Sequence, residues 1–165
     1  MRDPLAELLG ALNDGYIEYC YLDAVKLAGH SCPTVAGAYL TARAAIAALY
    51  PGEPGERGGV AIRMPSPEGH GTTGVTAQVL TLITGAAADN GFKGLNDRFV
   101  RHSLLSYSTS PTDRPMLFTR CDSGATVAVA LDLSSIASPA NLRELLAAAS
   151  QPSSICEPRV MFKRE

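Results

Sequence analysis

Between Pro33 and the Pro51-Gly52 pair, apolar side chains recur at Val35, Tyr39, Ala42, Ile46 and Leu49, which is the spacing of one helical face. Proline suits the first turn of a helix, where its missing N–H has no partner to lose, and Pro51-Gly52 cannot continue one. This stretch therefore predicts a long helix whose apolar face has to lie on another layer.

The flanking sequence supplies the other elements. Leu5, Leu8, Leu9 and Leu12 predict a short amphipathic helix that ends at Asn13-Asp14-Gly15, and Ile17, Cys20, Tyr21, Ala24 and Leu27 predict a second, with Asp14 as cap and Gly29 as stop. Pro51 to Gly59 reads as an exposed connection, too short to separate two cores, and Val60, Ile62 and Met64 alternate as a strand. A loop, Pro65 to Gly71, leads into a helix with Val75, Val79 and Leu82 on one face and Gly85 at its end. After Asn90-Gly91 the period changes. Strands are expected at Phe99 to Tyr107, Met116 to Cys121 and Ala125 to Leu133, with Asp122-Ser123-Gly124 as a hairpin turn. Ser138 and Pro139 open a last helix with Leu142, Leu145, Leu146 and Ala149 as its stripe, and Val160 and Phe162 suggest a terminal edge strand. Helices followed by a run of strands point to an α+β layer fold rather than alternating βαβ units. With 165 residues, the expectation is a single domain over residues 1–165.

Composition narrows the function classes. Lys plus Arg number 14 against 16 Asp plus Glu, so the net charge of -2 offers no footprint for nucleic acid or an anionic membrane surface. The longest run without Asp, Glu, Lys or Arg, Gly69 to Ala88, holds His70, Gln78, five Thr and four Gly, too polar to span a bilayer. Asp3, Glu7, Gly10, Asn13 and Asp14 interrupt any stretch resembling a secretory signal, so a cytoplasmic location is expected. Cys20, Cys32, Cys121 and Cys156 are widely spaced and form no Cys-x-x-Cys pair, which argues against a disulfide framework.

The chemistry concentrates at Gly29-His30-Ser31-Cys32-Pro33, where an imidazole and a thiol stand two residues apart at a helix entrance. The positive end of the helix dipole and the unpaired first-turn amides favour thiolate there. The alternative is that Cys32 caps or packs while His30 bonds the backbone. His70 sits between Gly69 and Gly71 at another helix entrance. Were the two entrances to converge, His30, Cys32 and His70 would supply two nitrogens and one sulfur, a set that suits zinc or another divalent transition metal, with thiolate at about 2.3 Å and imidazole at about 2.0 Å. His102, in an expected strand, is a reserve ligand; Cys20 and Cys121 are expected to be buried packing residues. Lys93, between Asn90-Gly91 and Gly94, could present an ammonium to a bound anion or cofactor. Tyr16, Tyr19, Tyr21 and Tyr39 read as core or interface. No phosphate loop, dinucleotide fingerprint or Gly-x-Ser-x-Gly elbow occurs.

Gly29-His30-Ser31-Cys32-Pro33, a small-residue helix, a strand, and Gly74-Val75 opening another helix together resemble the E-subunit family of formylmethanofuran dehydrogenase over roughly residues 15 to 133. His30, Cys32 and Pro33 match its metal signature, Gly74-Val75 its later segment, and Lys93-Gly94 its turn. Ala28, Thr34 and Thr73 replace the first signature histidine, the glycine and the second cysteine. The resemblance implies an α-β-α-β-β-β core with a mixed sheet, similar to the catalytic domain of glyceraldehyde phosphate dehydrogenases, and a metal pocket. The zinc ribbon of some relatives has no counterpart after Leu133, since paired cysteines are lacking there.

Three functions stand open at this level. One is a divalent-metal protein with a small-ligand pocket. Another is a metal-free enzyme in which His30 or His70 activates Cys32. The third is a noncatalytic homodimeric binding module built on apolar helix faces.

Overall fold

A computed structural model describes residues 1–134 and 141–150. The chain divides into two units, Met1–Leu131 and Asp132–Glu165. The first contains α1 (Pro4–Leu8), α2 (Tyr21–Ala28), α3 (Pro33–Leu49), β1 (Val60–Met64), α4 (Thr73–Thr84), β2 (Leu105–Tyr107), β3 (Met116–Arg120) and β4 (Thr126–Val129). The second contains α5 (Leu142–Ala149), which carries the expected Leu142, Leu145 and Leu146 stripe. Ser138, Pro139, Cys156, Val160 and Phe162 lie outside the described residues.

The fold is α+β, with a four-stranded mixed sheet in the order β2-β1-β3-β4. β1 pairs with β3 and β3 with β4 in antiparallel fashion, whereas β1 and β2 run parallel, with Ile62 opposite Leu105. That parallel pair requires a crossover, which α4 supplies, so one βαβ unit is embedded in a chain whose pattern suggested none. Period-two alternation sends Val60, Ile62 and Met64 to the covered face and leaves Ala61 and Arg63 on the other. Ile62 faces Phe118 across the β1–β3 ladder, and Phe118 faces Val127 across β3–β4. Phe118, Ile62, Met64, Leu80, Val35, Val60 and Val79 form the fully buried centre, with α3 and α4 packed on each other beside the sheet. α3 buries Gly37, Ala38, Thr41, Ala42 and Ala45 with Val35 and Leu49, small side chains that let its backbone approach its neighbours closely. No described helix is long and apolar enough to cross a membrane.

Several expectations are corrected. α1 has only five residues and buries none of them; Leu8 and Leu9 are exposed, so the leucine stripe is not a core face. α2 starts at Tyr21 because Asp14 closes a turn onto the Tyr16 amide at 3.0 Å, and Asp23 accepts from the Cys20 amide at 2.9 Å. α4 buries Ala77, Leu80 and Ile83 with Val79, while Val75 stays 37% exposed, so its inner face is rotated from the one its branched residues suggested. Of Phe99 to Tyr107, only the last three residues pair as a strand. Phe99 and Ser103 have φ near 60°, a left-handed conformation that cannot extend a ladder. The hairpin turn falls at Asp122-Ser123-Gly124, with Gly124 at φ 73°.

What holds α1 is polar. Asp3, 3% exposed, caps it by accepting from the Ala6 amide at 3.1 Å and receives Arg57 at 2.9 Å and Arg101 at 2.5 Å. Arg57 donates further to the carbonyls of Leu82 and Ile83 at the end of α4, at 3.0 and 3.3 Å. Burial alone would raise the Asp3 pKa, but the Ala6 amide and the two guanidiniums outweigh it and hold the carboxyl below its ordinary value.

Candidate functional site

Helix α2 stops at Gly29, whose left-handed φ of 75° turns the chain and carries its N–H back to the Val25 carbonyl at 2.8 Å. Three residues later α3 begins, with Cys32 extended as its N-cap and Pro33 in its first turn. The bridge between the two helices is therefore only His30-Ser31-Cys32, short enough that the imidazole folds back beside the thiol.

His30 Nδ1 lies 2.9 Å from the carbonyl oxygen of Ala28, and since a carbonyl can only accept, Nδ1 carries the proton. Nε2 is then the nitrogen without a proton, and the Cys32 thiol, two residues on, is the titratable group that acts on the ring. The Ala28 carbonyl first, and the thiol second, raise the His30 pKa above its ordinary value. The Cys32 pKa is lowered, chiefly by the Val35 amide at the α3 entrance; burial opposes this, and His30 and the Thr34 amide add to it. The two shifts favour the same state, thiolate beside imidazolium. Cys32 is half-buried against the core and His30 is exposed, so the pair sits at the protein–water boundary. Ser31 is braced by Tyr21, hydroxyl to hydroxyl at 2.6 Å, and the Tyr21 ring tilts against Tyr39 with centroids 5.8 Å apart.

The other candidates are dispersed. His70 is exposed in the loop before α4, its amide bonded to the Pro67 carbonyl and its carbonyl to the Thr73 amide. Among the described residues no group of three or more His, Cys, Asp or Glu side chains is arranged to hold a metal ion, so His30 and Cys32 are brought together while His70 does not complete a ligand triad with them. Lys93 is exposed in the stretch before β2. His102 lies in a turn instead of a strand, its Nδ1 3.0 Å from Ser103 Oγ. Cys20 and Cys121 are exposed, at the start of α2 and just after β3, and so are not the buried packing residues expected.

Two features have no signal in the sequence. The Ala28 carbonyl that fixes the imidazole is backbone, and no residue type marks it. Tyr21 and Ser31 lie ten positions apart, and only the Gly29 turn brings them together. Comparisons with protein-family models, with curated proteins and with solved structures gave no match to this chain.

Proposed function

We propose that Cys32 and His30 form the working centre of this chain and that the Cys32 thiolate acts as a nucleophile towards a carbonyl or thioester carbon. The observation that carries the reading is the arrangement of nucleophile, base and orienting group: Cys32 beside His30, and His30 fixed by the Ala28 carbonyl at 2.9 Å. In an acyl transfer the sulfur forms a bond to the acyl carbon, the bond to the leaving group breaks, and the imidazolium of His30 gives its proton to that group. Helix α3 supplies the thiolate with amides that are in place before any substrate arrives.

The test is residue-resolved acylation. Incubation with p-nitrophenyl acetate, followed by peptide mass mapping of all four cysteines, is expected to place the acetyl group on Cys32 first and to lose it in Cys32→Ser. Acetylation of Cys20 or Cys121 at the same rate as Cys32 would end the proposal.

A second reading has its own support. An imidazole whose Nδ1–H is tied to a backbone carbonyl leaves Nε2 oriented as a metal ligand, and a neighbouring thiolate suits zinc or a similar ion. This is the metal role that the resemblance to the formylmethanofuran dehydrogenase family implies, with His30 and Cys32 as two ligands. Titration with cobalt(II) separates the readings. A thiolate-to-cobalt absorption band that Cys32→Ser abolishes favours the metal centre, and its absence from wild type favours the metal-free thiol.

A further inference from the structure

A concave feature stands apart from the Cys32–His30 pair and rests on no reading of it. Residues 16 to 19 run beside α3 and leave between them a cavity of about 460 Å³, within the size range of small-molecule sites. Helix α3 contributes Tyr39, Ala42, Arg43, Ile46 and Ala47, the i, i+3, i+4, i+7, i+8 stripe of one face. Ile17 and Tyr19 form the facing wall, and Ile83 of α4 lies at the inner end. These walls are mostly hydrocarbon, so an empty cavity keeps apolar surface in contact with water, and an apolar occupant gains by displacing it.

The charged groups on the cavity are few. Arg43 is exposed, its guanidinium 5.8 Å from the centroid of the Tyr39 ring, and it has no ion-pair partner among the described residues. Among the described residues Glu18 is the one carboxylate on the lining, and it too is exposed, while the Met1 ammonium, also on the lining, is taken up by the Ile17 carbonyl at 2.9 Å. The Tyr39 hydroxyl is occupied, donating to the Tyr19 carbonyl at 3.2 Å, and therefore braces the wall rather than waiting for a ligand. The cavity thus pairs an apolar interior with a guanidinium at its rim whose planar fork matches a carboxylate.

We infer that this cavity is a binding site for an amphiphilic monocarboxylate, its hydrocarbon body between Ile17 and Ile46 and its carboxylate on Arg43. Arg43 and Glu18 oppose each other in sign, so an amine of the same length tests the choice of head group directly.

Isothermal titration of the full chain with octanoate, octylamine and 1-octanol provides the measurement. Octanoate is expected to bind more tightly than either of the others. Arg43→Gln is expected to weaken octanoate about tenfold while leaving octanol unchanged, the scale of a hydrogen bond to a charged group. Ala47→Phe, at an exposed position on the cavity wall, is expected to abolish binding of both with the circular dichroism spectrum unaltered. No octanoate binding at millimolar concentration, octylamine binding as tightly as octanoate, or octanoate binding that survives Ala47→Phe would each overturn the assignment.

Discussion

His30 and Cys32 shift each other's proton affinity in opposite directions across a bridge of one residue, the histidine upward and the thiol downward. The effect on the thiol begins with the Val35 amide and is reinforced by His30. Thiolate therefore forms as pH rises through a value below that of an ordinary thiol, and the imidazolium beside it persists above the usual histidine range. The rate of Cys32 alkylation by iodoacetamide, followed by peptide mass mapping, should have its midpoint below the ordinary thiol value. In His30→Ala the midpoint should move upward yet stop short of a free cysteine, because the Val35 amide remains. A midpoint unmoved by the substitution would show that the ring does not act on the sulfur.

Asp3 is the buried carboxylate on which two largely buried guanidiniums converge. Asp3→Ala leaves Arg57 and Arg101 without their counter-charge and α1 without its cap, a loss of about 3 kcal/mol. The midpoint of urea unfolding should fall accordingly, with little change in slope. An unchanged midpoint would mean that solvent already satisfies both guanidiniums.

The same carboxylate sets an acid limit. Its folded pKa lies below the unfolded one, so the stabilisation it gives is full above the ordinary carboxylate value and disappears as pH falls through the lowered folded value. Wild type should lose stability over that acid interval more steeply than Asp3→Asn, which has no proton to take up there. Parallel acid-unfolding curves for the two proteins would refute this.

Gly91 allows the stretch before β2 to cross itself. A Cβ at this position would stand 2.6 Å from His102 Cα and 2.7 Å from its amide nitrogen, and backbone cannot swing aside as a side-chain tip can. Gly91→Ala should cost about 2 kcal/mol, a fall in Tm of roughly 4–8 °C. Gly69→Ala, where a Cβ meets nothing within 4 Å, is the control and should leave Tm nearly unchanged.

Punctuation made the helices and the first strand legible. Pro33 and Pro51-Gly52 bracket α3, Gly29 and Gly85 end α2 and α4 in left-handed conformations, and Val60, Ile62 and Met64 alternate as β1 does. Periodicity misled where packing used small residues instead of large ones. Ala77 is buried and Val75 exposed on α4, and no hydrophobicity pattern ranks them that way. It misled again between Phe99 and Ser103, two residues that take a left-handed conformation, which for the bulky Phe99 local preference disfavours. At the candidate site the neighbours His30 and Cys32 were visible because only one residue separates them, whereas the relation of His70 to them depended on how two distant helix entrances lie.

The link from Asp3 to Arg57 spans 54 positions and that to Arg101 spans 98. Contacts so remote along the chain cannot nucleate folding cheaply, because the intervening loop must close first. The α3, β1 and α4 region can consolidate by shorter closures, after which the amino-terminal arm is clasped onto it. Weakening the clasp should hasten unfolding while barely slowing folding, so that the residence time of the assembled state resides in three side chains and not in the hydrophobic centre alone.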